Sequence, residues 1–368
     1  MPSCIAGGRT YALSMLFAAA LLCGGASAQT SSTGGNWQFA VSGDSRNCGD
    51  VVMPAIAADV LQRHSKFYWH LGDFRAIYTF DEDFTHQPEH NRRLLTLSEY
   101  QGSAWQDFLD SQITPFGDVQ VFLGIGNHET IPPKTREEYI SQFADWLEKP
   151  EIRAQRLRDD PRDHRVRTYY HWREHNVDFI NLDNATADQF DPEQVLWIER
   201  LLERDAADPD LATVVIGMHE ALPDSVSDDH SMSGSPTGLS SGRRVYQDLL
   251  RLYLSGHKRV YILASHSHFF MPNIFATPYI SSHGGELPGW IIGSAGAVRY
   301  SLPKGADPRA MTNVYGYLMA TVQSNGMIDF EFRKLNESDV PAAVVNRYTQ
   351  PFVHWCWTDN SQAKYDQQ

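Results

Sequence analysis

The sequence is poor in cysteine, in positive charge and in long apolar runs. It has four cysteines in 368 residues, and two of them, Cys4 and Cys23, fall in the first 28. That excludes a disulfide-dense scaffold and leaves Cys48 and Cys356 either to pair or to stand as separate buried thiols. Lys plus Arg number 31 against 45 Asp plus Glu, a formal net charge of −14. So acidic a chain lacks the basic face that displaces counterions from a nucleic-acid polymer, so none is expected as a partner. A small anion held by metal ions is still allowed, because the ions dominate the local charge. There is no Gly-Lys-Ser/Thr phosphate loop, and Ile292-Gly293-Ser294-Ala295-Gly296 lacks the first glycine of a nucleophile elbow. The hydrophobic fraction of 42% and charged fraction of 21% are those of a globular chain, which excludes disorder.

The N-terminus holds the longest apolar run, Tyr11 to Leu22, followed by Ala26-Ser27-Ala28 before Gln29. Residues 1–28 therefore read as a secretory signal peptide. The run is shorter than the roughly 20 residues that span a bilayer, so no transmembrane anchor is expected. Arg9 is the only charged residue in this segment, and its removal takes the formal charge from −14 to −15. The expected location is periplasmic or secreted.

Strand-length apolar runs alternate with helix-length segments, the mark of an α/β sheet. Strands are expected at Trp37 to Val41, Phe67 to Leu71, Val119 to Ile125, Val177 to Leu182, Ala212 to Ile216 and Arg259 to Ala264. Three more follow at Trp290 to Ile292, Gly316 to Val322 and Met327 to Phe332. Helices are expected at Val51 to Arg63, after Asp191-Pro192-Glu193, and at Gly242 to Leu254. Three stretches read as insertions or surface loops: Tyr78 to Arg93, Glu151 to Arg167 and the Ser- and Gly-rich Ser225 to Ser241. The second holds six arginines among acids, either a self-paired solvated face or a phosphate patch.

Five of the apolar runs end in residues of metal-ligand type: Asp44, Asp73, Asn127 with His128, His219, and His266 with His268. In open α/β folds ligands bind beyond the carboxyl ends of strands, so these ends can converge. Two ions about 3.5–4 Å apart need a shared anionic ligand, which a carboxylate such as Asp73 can be. Mixed imidazole and carboxylate ligands suit iron, zinc or manganese rather than calcium.

The order Gly43-Asp44, Gly72-Asp73, Gly126-Asn127-His128-Glu129, Gly217-Met218-His219-Glu220, Ser265-His266-Ser267-His268 resembles the calcineurin-like metallophosphoesterases. The resemblance spans about residues 37–335. It implies a four-layer αββα sandwich with two mainly mixed sheets, in one domain over 29–368 with a C-terminal tail at 336–368. It further implies two divalent or trivalent transition-metal ions (Fe, Mn or Zn) and a small phosphoester substrate attacked by a metal-bridging hydroxide. Asp44, Asp73 and His268 would hold one ion, and Asp73, Asn127, His219 and His266 the other. His128 would protonate the leaving oxygen.

The chain departs from the family pattern at two positions. Arg46 stands where the first motif usually has a ligating histidine, and a guanidinium cannot ligate a cation. It can clamp phosphate with paired hydrogen bonds, or turn away to an acid such as Asp50. Ala76 stands where the second motif usually has an acid that orients the catalytic histidine, or a tyrosine ligand; either an acid from Asp81 to Asp83 replaces it or His128 is poorly oriented. These departures leave open a non-catalytic metal- or phosphate-binding protein on the same scaffold.

Overall fold

The computed structural model describes residues 35–88 and 94–361. The signal-peptide expectation at 1–28 lies outside the described residues, as do 89–93 and 362–368. From Gly35 onward the chain forms one compact unit.

The apolar runs form two mixed sheets. The first has the order β11-β10-β1-β2-β3, from β1 (Trp37–Ser42), β2 (Phe67–His70), β3 (Gln120–Leu123), β10 (Tyr315–Val322) and β11 (Ile328–Leu335). Strands β1, β2 and β3 are parallel, while β10 and β11 run antiparallel at one edge. The second has the order β4-β5-β6-β7-β9-β8, from β4 (Tyr170–Glu174), β5 (Val177–Asn181), β6 (Thr213–Gly217), β7 (Arg259–Ala264), β8 (Phe270–Pro272) and β9 (Gly289–Ile292). Its four central strands β5, β6, β7 and β9 are parallel.

Aromatic side chains fill the space between the sheets. Phe122 stacks on Trp172 at 3.9 Å, and Phe39 and Phe67 each meet Phe179 edge-on at 5.1 Å. Burying one such side chain stabilises by about 1.5–3 kcal/mol. Trp69 donates across the layer to Asn181 Oδ1 at 3.0 Å, so its one polar atom is satisfied. Helix α1 (Gly49–Gln62) packs on the outer side of the first sheet, with Met53 beside Tyr68. Helix α2 (Leu97–Phe108) opens on a capping box of Thr96 and Glu99. Helix α3 (Pro150–Asp159) precedes β4. Helices α4 (Pro192–Ala207) and α5 (Pro236–Ser255) share an apolar core with the second sheet. Asp191 and Ser235 cap them, each with a proline at the first turn. This is the expected four-layer sandwich.

The three expected loops are more ordered than their composition suggests. Half of the arginine-rich stretch is α3, because its charges lie outward while Ile152 and Gln155 are buried. The Ser- and Gly-rich stretch gives short turns at Asp228–His230 and Met232–Gly234, and α5 starts at Pro236, six residues before the expected Gly242. In the Tyr78 to Arg93 stretch Glu82–Thr85 is helical and Asp83 is buried. The C-terminal tail forms α6 (Ala342–Tyr348) and α7 (Gln350–Thr358), and a Cys48–Cys356 disulfide ties α7 to the start of α1. No helix among the described residues is long and apolar enough to cross a membrane.

Candidate metal centre

The centre lies where parallel strands of both sheets end. Asp44 follows β1, Asp73 follows β2, and Asn127 and His128 sit in a turn beyond β3. His219 follows β6, and His266 and His268 follow β7. Asp44, Asp73 and His266 take left-handed backbone angles, with φ of 60°, 61° and 64°. For a residue such as His266 this costs on the order of 1–2 kcal/mol and must be held by its surroundings. It is held by Asp44, whose Oδ2 accepts from His266 N at 2.8 Å and from Ser265 Oγ. Gly72, at φ +95°, passes so close to the next loop that a Cβ would lie 2.4 Å from Gly126 N.

One group of atoms has the character of a metal site. His219 Nδ1 lies 2.9 Å from the Leu71 carbonyl and must donate to it, which leaves a lone pair on Nε2. That Nε2 faces Asn127 Oδ1 at 3.0 Å, His266 Nδ1 at 3.0 Å and Asp73 Oδ1 at 3.3 Å. A single hydrogen between His219 Nε2 and its neighbours satisfies one contact; a cation satisfies all of them. Asp73, His219 and His266 bring ligand atoms within 4.8 Å of one another. Burial alone would lower the His219 pKa, but Asp73 and Asp44 push it up to about 10. A metal ion competes with that proton for the same lone pair.

The other side of the centre is built differently. His268 Nδ1 lies 2.6 Å from the Val298 carbonyl, so its Nε2 also carries a lone pair, 3.2 Å from Asp44 Oδ1. Arg46 is buried here, with Nη2 3.3 Å from His268 Nε2 and Nη1 3.3 Å from the Tyr78 hydroxyl. It does not pair with Asp50, which is taken by Arg75, Gln112 and Tyr348. Asp44 Oδ1 and Asp73 Oδ2 accept no hydrogen bond from the protein. Such buried carboxylate oxygens fit a cationic group between or beside them.

His128 points Nδ1 at the Ala76 carbonyl, 2.7 Å away, and its Nε2 lies 3.6 Å from Asp73 Oδ2. A backbone carbonyl thus does the orienting expected of an acid. Neither Asp81 nor Asp83 touches His128. Asp81 instead accepts from Ala76 N and Asn47 N, and Asp83 accepts from Arg75 and Asp50 N. Their role is to brace the two loops that carry Arg46 and Ala76.

Among solved structures, a purple acid phosphatase from yellow lupin (Lupinus luteus) seeds aligns with 81% of this chain and 51% of its own, at a TM-score of 0.52 and 16% identity. The chain spans about half the length of that protein. A dimetal phosphatase from Danio rerio aligns with 81% of this chain and 96% of its own, at 0.51 and 12%. A structure of PhoD aligns with 90% and 78%, at 0.51 and 15%. The fold is that of the calcineurin-like metallophosphoesterases. These identities establish the fold; no family model and no curated protein matches the sequence.

Several residues around this centre were not among those expected from the sequence. Glu129 gathers three backbone donors, Asp73 N, Phe74 N and Gly126 N, at 2.8–2.9 Å. Burial and Asp73 push its pKa up to about 8 against those bonds. It stands in the Gly-Asn-His-Glu motif, so its signal was in plain view. His70 joins Ser45 Oγ at 2.9 Å to Gly72 N at 3.2 Å, and burial lowers its pKa to about 3, so it is a neutral brace. In the sequence it is one more residue of a strand. Tyr300 stacks on His268 at 4.0 Å and His230 on Tyr300 at 5.2 Å, while Tyr78 lies 5.3 Å from His128. No spacing rule links these three to the ligand motifs.

Proposed function

We propose that the chain is an exported, metal-dependent hydrolase of small phosphoesters. The observation that carries this reading is the convergence of Asp73, Asn127 and His266 on a single lone pair of His219. Asp73, Asn127, His219 and His266 would hold a transition-metal ion (Fe, Mn or Zn), with Asp44 and His268 beside it. Such an ion supplies Lewis acidity toward a phosphoryl oxygen and a hydroxide nucleophile near neutral pH. Leu71 and Val298 fix the two imidazoles so that Nε2, the atom a metal would take in place of a proton, faces the centre. Arg46 places permanent positive charge where an anionic ester would lie. His128 is oriented by Ala76 to pass a proton to the leaving oxygen. The Cys48–Cys356 disulfide supports export, since such bonds persist in oxidising compartments.

Arg46, in place of a ligand, favours the second reading, a metal- or phosphate-binding protein without turnover. Metal analysis of the purified chain, with a panel of chromogenic mono- and diesters before and after chelation, tests both. Activity lost on chelation and restored by added metal is the expected result. Bound metal with no turnover on the panel would leave the binding protein, and no metal at all would sink the hydrolase and leave phosphate binding as the reading to measure.

A further inference from the structure

The two sides of the centre differ in what faces their histidine lone pairs. Around His219 Nε2 stand Asn127 Oδ1, His266 Nδ1 and Asp73 Oδ1, with no cationic side chain among the contacts. At His268 Nε2 an Arg46 N–H is already directed at the lone pair from 3.3 Å. The same atom would have to face a metal ion held with Asp44. Arg46 is not a passing side chain. Tyr78 accepts its other terminal nitrogen at 3.3 Å, and Tyr300, stacked at 4.0 Å, pins the His268 ring. The acids that might draw it away, Asp50 and Asp83, are bound to the buried Arg75. Asp44 and His268 do not join the group of ligand atoms formed by Asp73, His219 and His266.

Resting on the proposed metal site, we infer that the centre holds one metal ion, at Asp73, Asn127, His219 and His266, and that the Arg46 guanidinium takes the place of a second. A guanidinium stays charged at any working pH, so a divalent ion at Asp44 and His268 would sit against a permanent cation in a buried setting where screening is weak. The carboxylate oxygens that accept no hydrogen bond, Asp44 Oδ1 and Asp73 Oδ2, keep the region negative enough to hold Arg46 without coordinating it. Its N–H groups then meet the phosphoryl oxygens that a second ion would otherwise meet.

The test is a count of ions. Purified protein is loaded separately with Zn2+ and Mn2+, freed of loosely held metal, and analysed by elemental mass spectrometry. Electron paramagnetic resonance is recorded on the Mn2+ form. The wild-type chain should hold one ion per chain with an uncoupled Mn2+ spectrum, and Arg46→His should hold two with spin coupling. His268→Ala should still hold one, and His219→Ala none. Two ions in the wild-type chain, or one in a folded Arg46→His, overturns the inference and leaves the phosphoesterase reading standing. No ion under any loading overturns both.

Discussion

His219 and His171 are both buried histidines set among aspartates, yet the structure uses them in opposite ways. His171, in β4, has Nδ1 at 2.8–2.9 Å from the two oxygens of Asp178 and Nε2 against Asp159, one carboxylate for each nitrogen. Two protons satisfy it. Burial opposes its charge, but Asp178 and Asp159 push its pKa up to about 9, so an imidazolium lies between the two carboxylates, with Arg204 3.0 Å from Asp159 as a second cation. Arg173 closes the network on Asp205 and Asp208. His219 instead spends one nitrogen on a backbone carbonyl and turns the other to three atoms rich in lone pairs. No single proton satisfies them. Equal residue types thus separate into a structural ion cluster and a candidate metal site by the ratio of acceptors to hydrogens, not by composition.

The sharpest way to break that contrast is Asp73→Asn. Its Oδ1 faces His219, and its Oδ2 lies beside His128. An amide keeps the shape and removes the anion. Metal content and phosphoesterase activity should vanish together, with activity down by 10³-fold or more, roughly what loss of a metal's electrostatic role costs. Elemental analysis with turnover on the same preparation checks it; retained metal at full activity would refute the site.

His128→Ala should be next in size. The ring contacts Asp73 and the Ala76 carbonyl but does not belong to the group of ligand atoms. Metal should therefore stay, while turnover falls by about 10²–10⁴-fold if the ring carries a proton. The loss should shrink for esters with acidic leaving groups, which depart without a proton. A loss of equal size across leaving groups would mean structural damage instead.

These two sites were legible to different depths. The polar residues that gather at the strand ends were readable, because Asp, Asn or His directly beyond an apolar run stands out against its neighbours. Strand and helix lengths pointed to an α/β sheet, and the four αββα layers came from the resemblance to the calcineurin-like metallophosphoesterases. What could not be read was each histidine's second partner. The carbonyls of Leu71, Ala76 and Val298 carry no side-chain signature, yet they decide where lone pairs point. The replacement of an acid by the Ala76 backbone was invisible for that reason. So were the edge strands β4, which mixes polar and aromatic residues, and β8, which is only three residues long. The tail looked peripheral because its anchors, the Cys48–Cys356 disulfide and the Arg299 bond to the Trp357 carbonyl, join residues far apart in the chain.

The structural member of the pair makes its own prediction, smaller in effect. His171→Gln removes the charge between Asp159 and Asp178 and should leave metal content unchanged. Breaking a buried ion cluster by removing one partner destabilises by about 3–5 kcal/mol. The folded pKa is raised from 6.5 to about 9, so the stabilisation is complete below about pH 6.5 and lost as pH rises through about 9. Urea unfolding of both proteins at acid and alkaline pH reads this directly. The gap between wild type and variant should close at the alkaline end, and a pH-independent gap would show that the ring is not protonated.

Smallest of all should be Arg165→Ala, in the arginine-rich stretch near His171. A groove of about 1050 Å³ is lined by Arg156, Arg162, Arg165 and Arg167 among others. It invites the reading of a phosphate patch. The arginines, however, already have partners within the protein. Arg156 binds Glu148, Arg165 binds Glu193 at 2.7 Å, and Arg167 binds Asp163 at 2.8 Å. Arg165 and Glu193 are 64% and 49% exposed, so water screens their attraction and the pair contributes about 0–1 kcal/mol. The variant should unfold within about 1 kcal/mol of wild type, hydrolyse phosphoesters with unchanged KM, and show the same phosphate inhibition. A KM raised several-fold, with kcat and metal content intact, would show that these arginines engage substrate, and would make the groove an extension of the centre rather than a self-paired face.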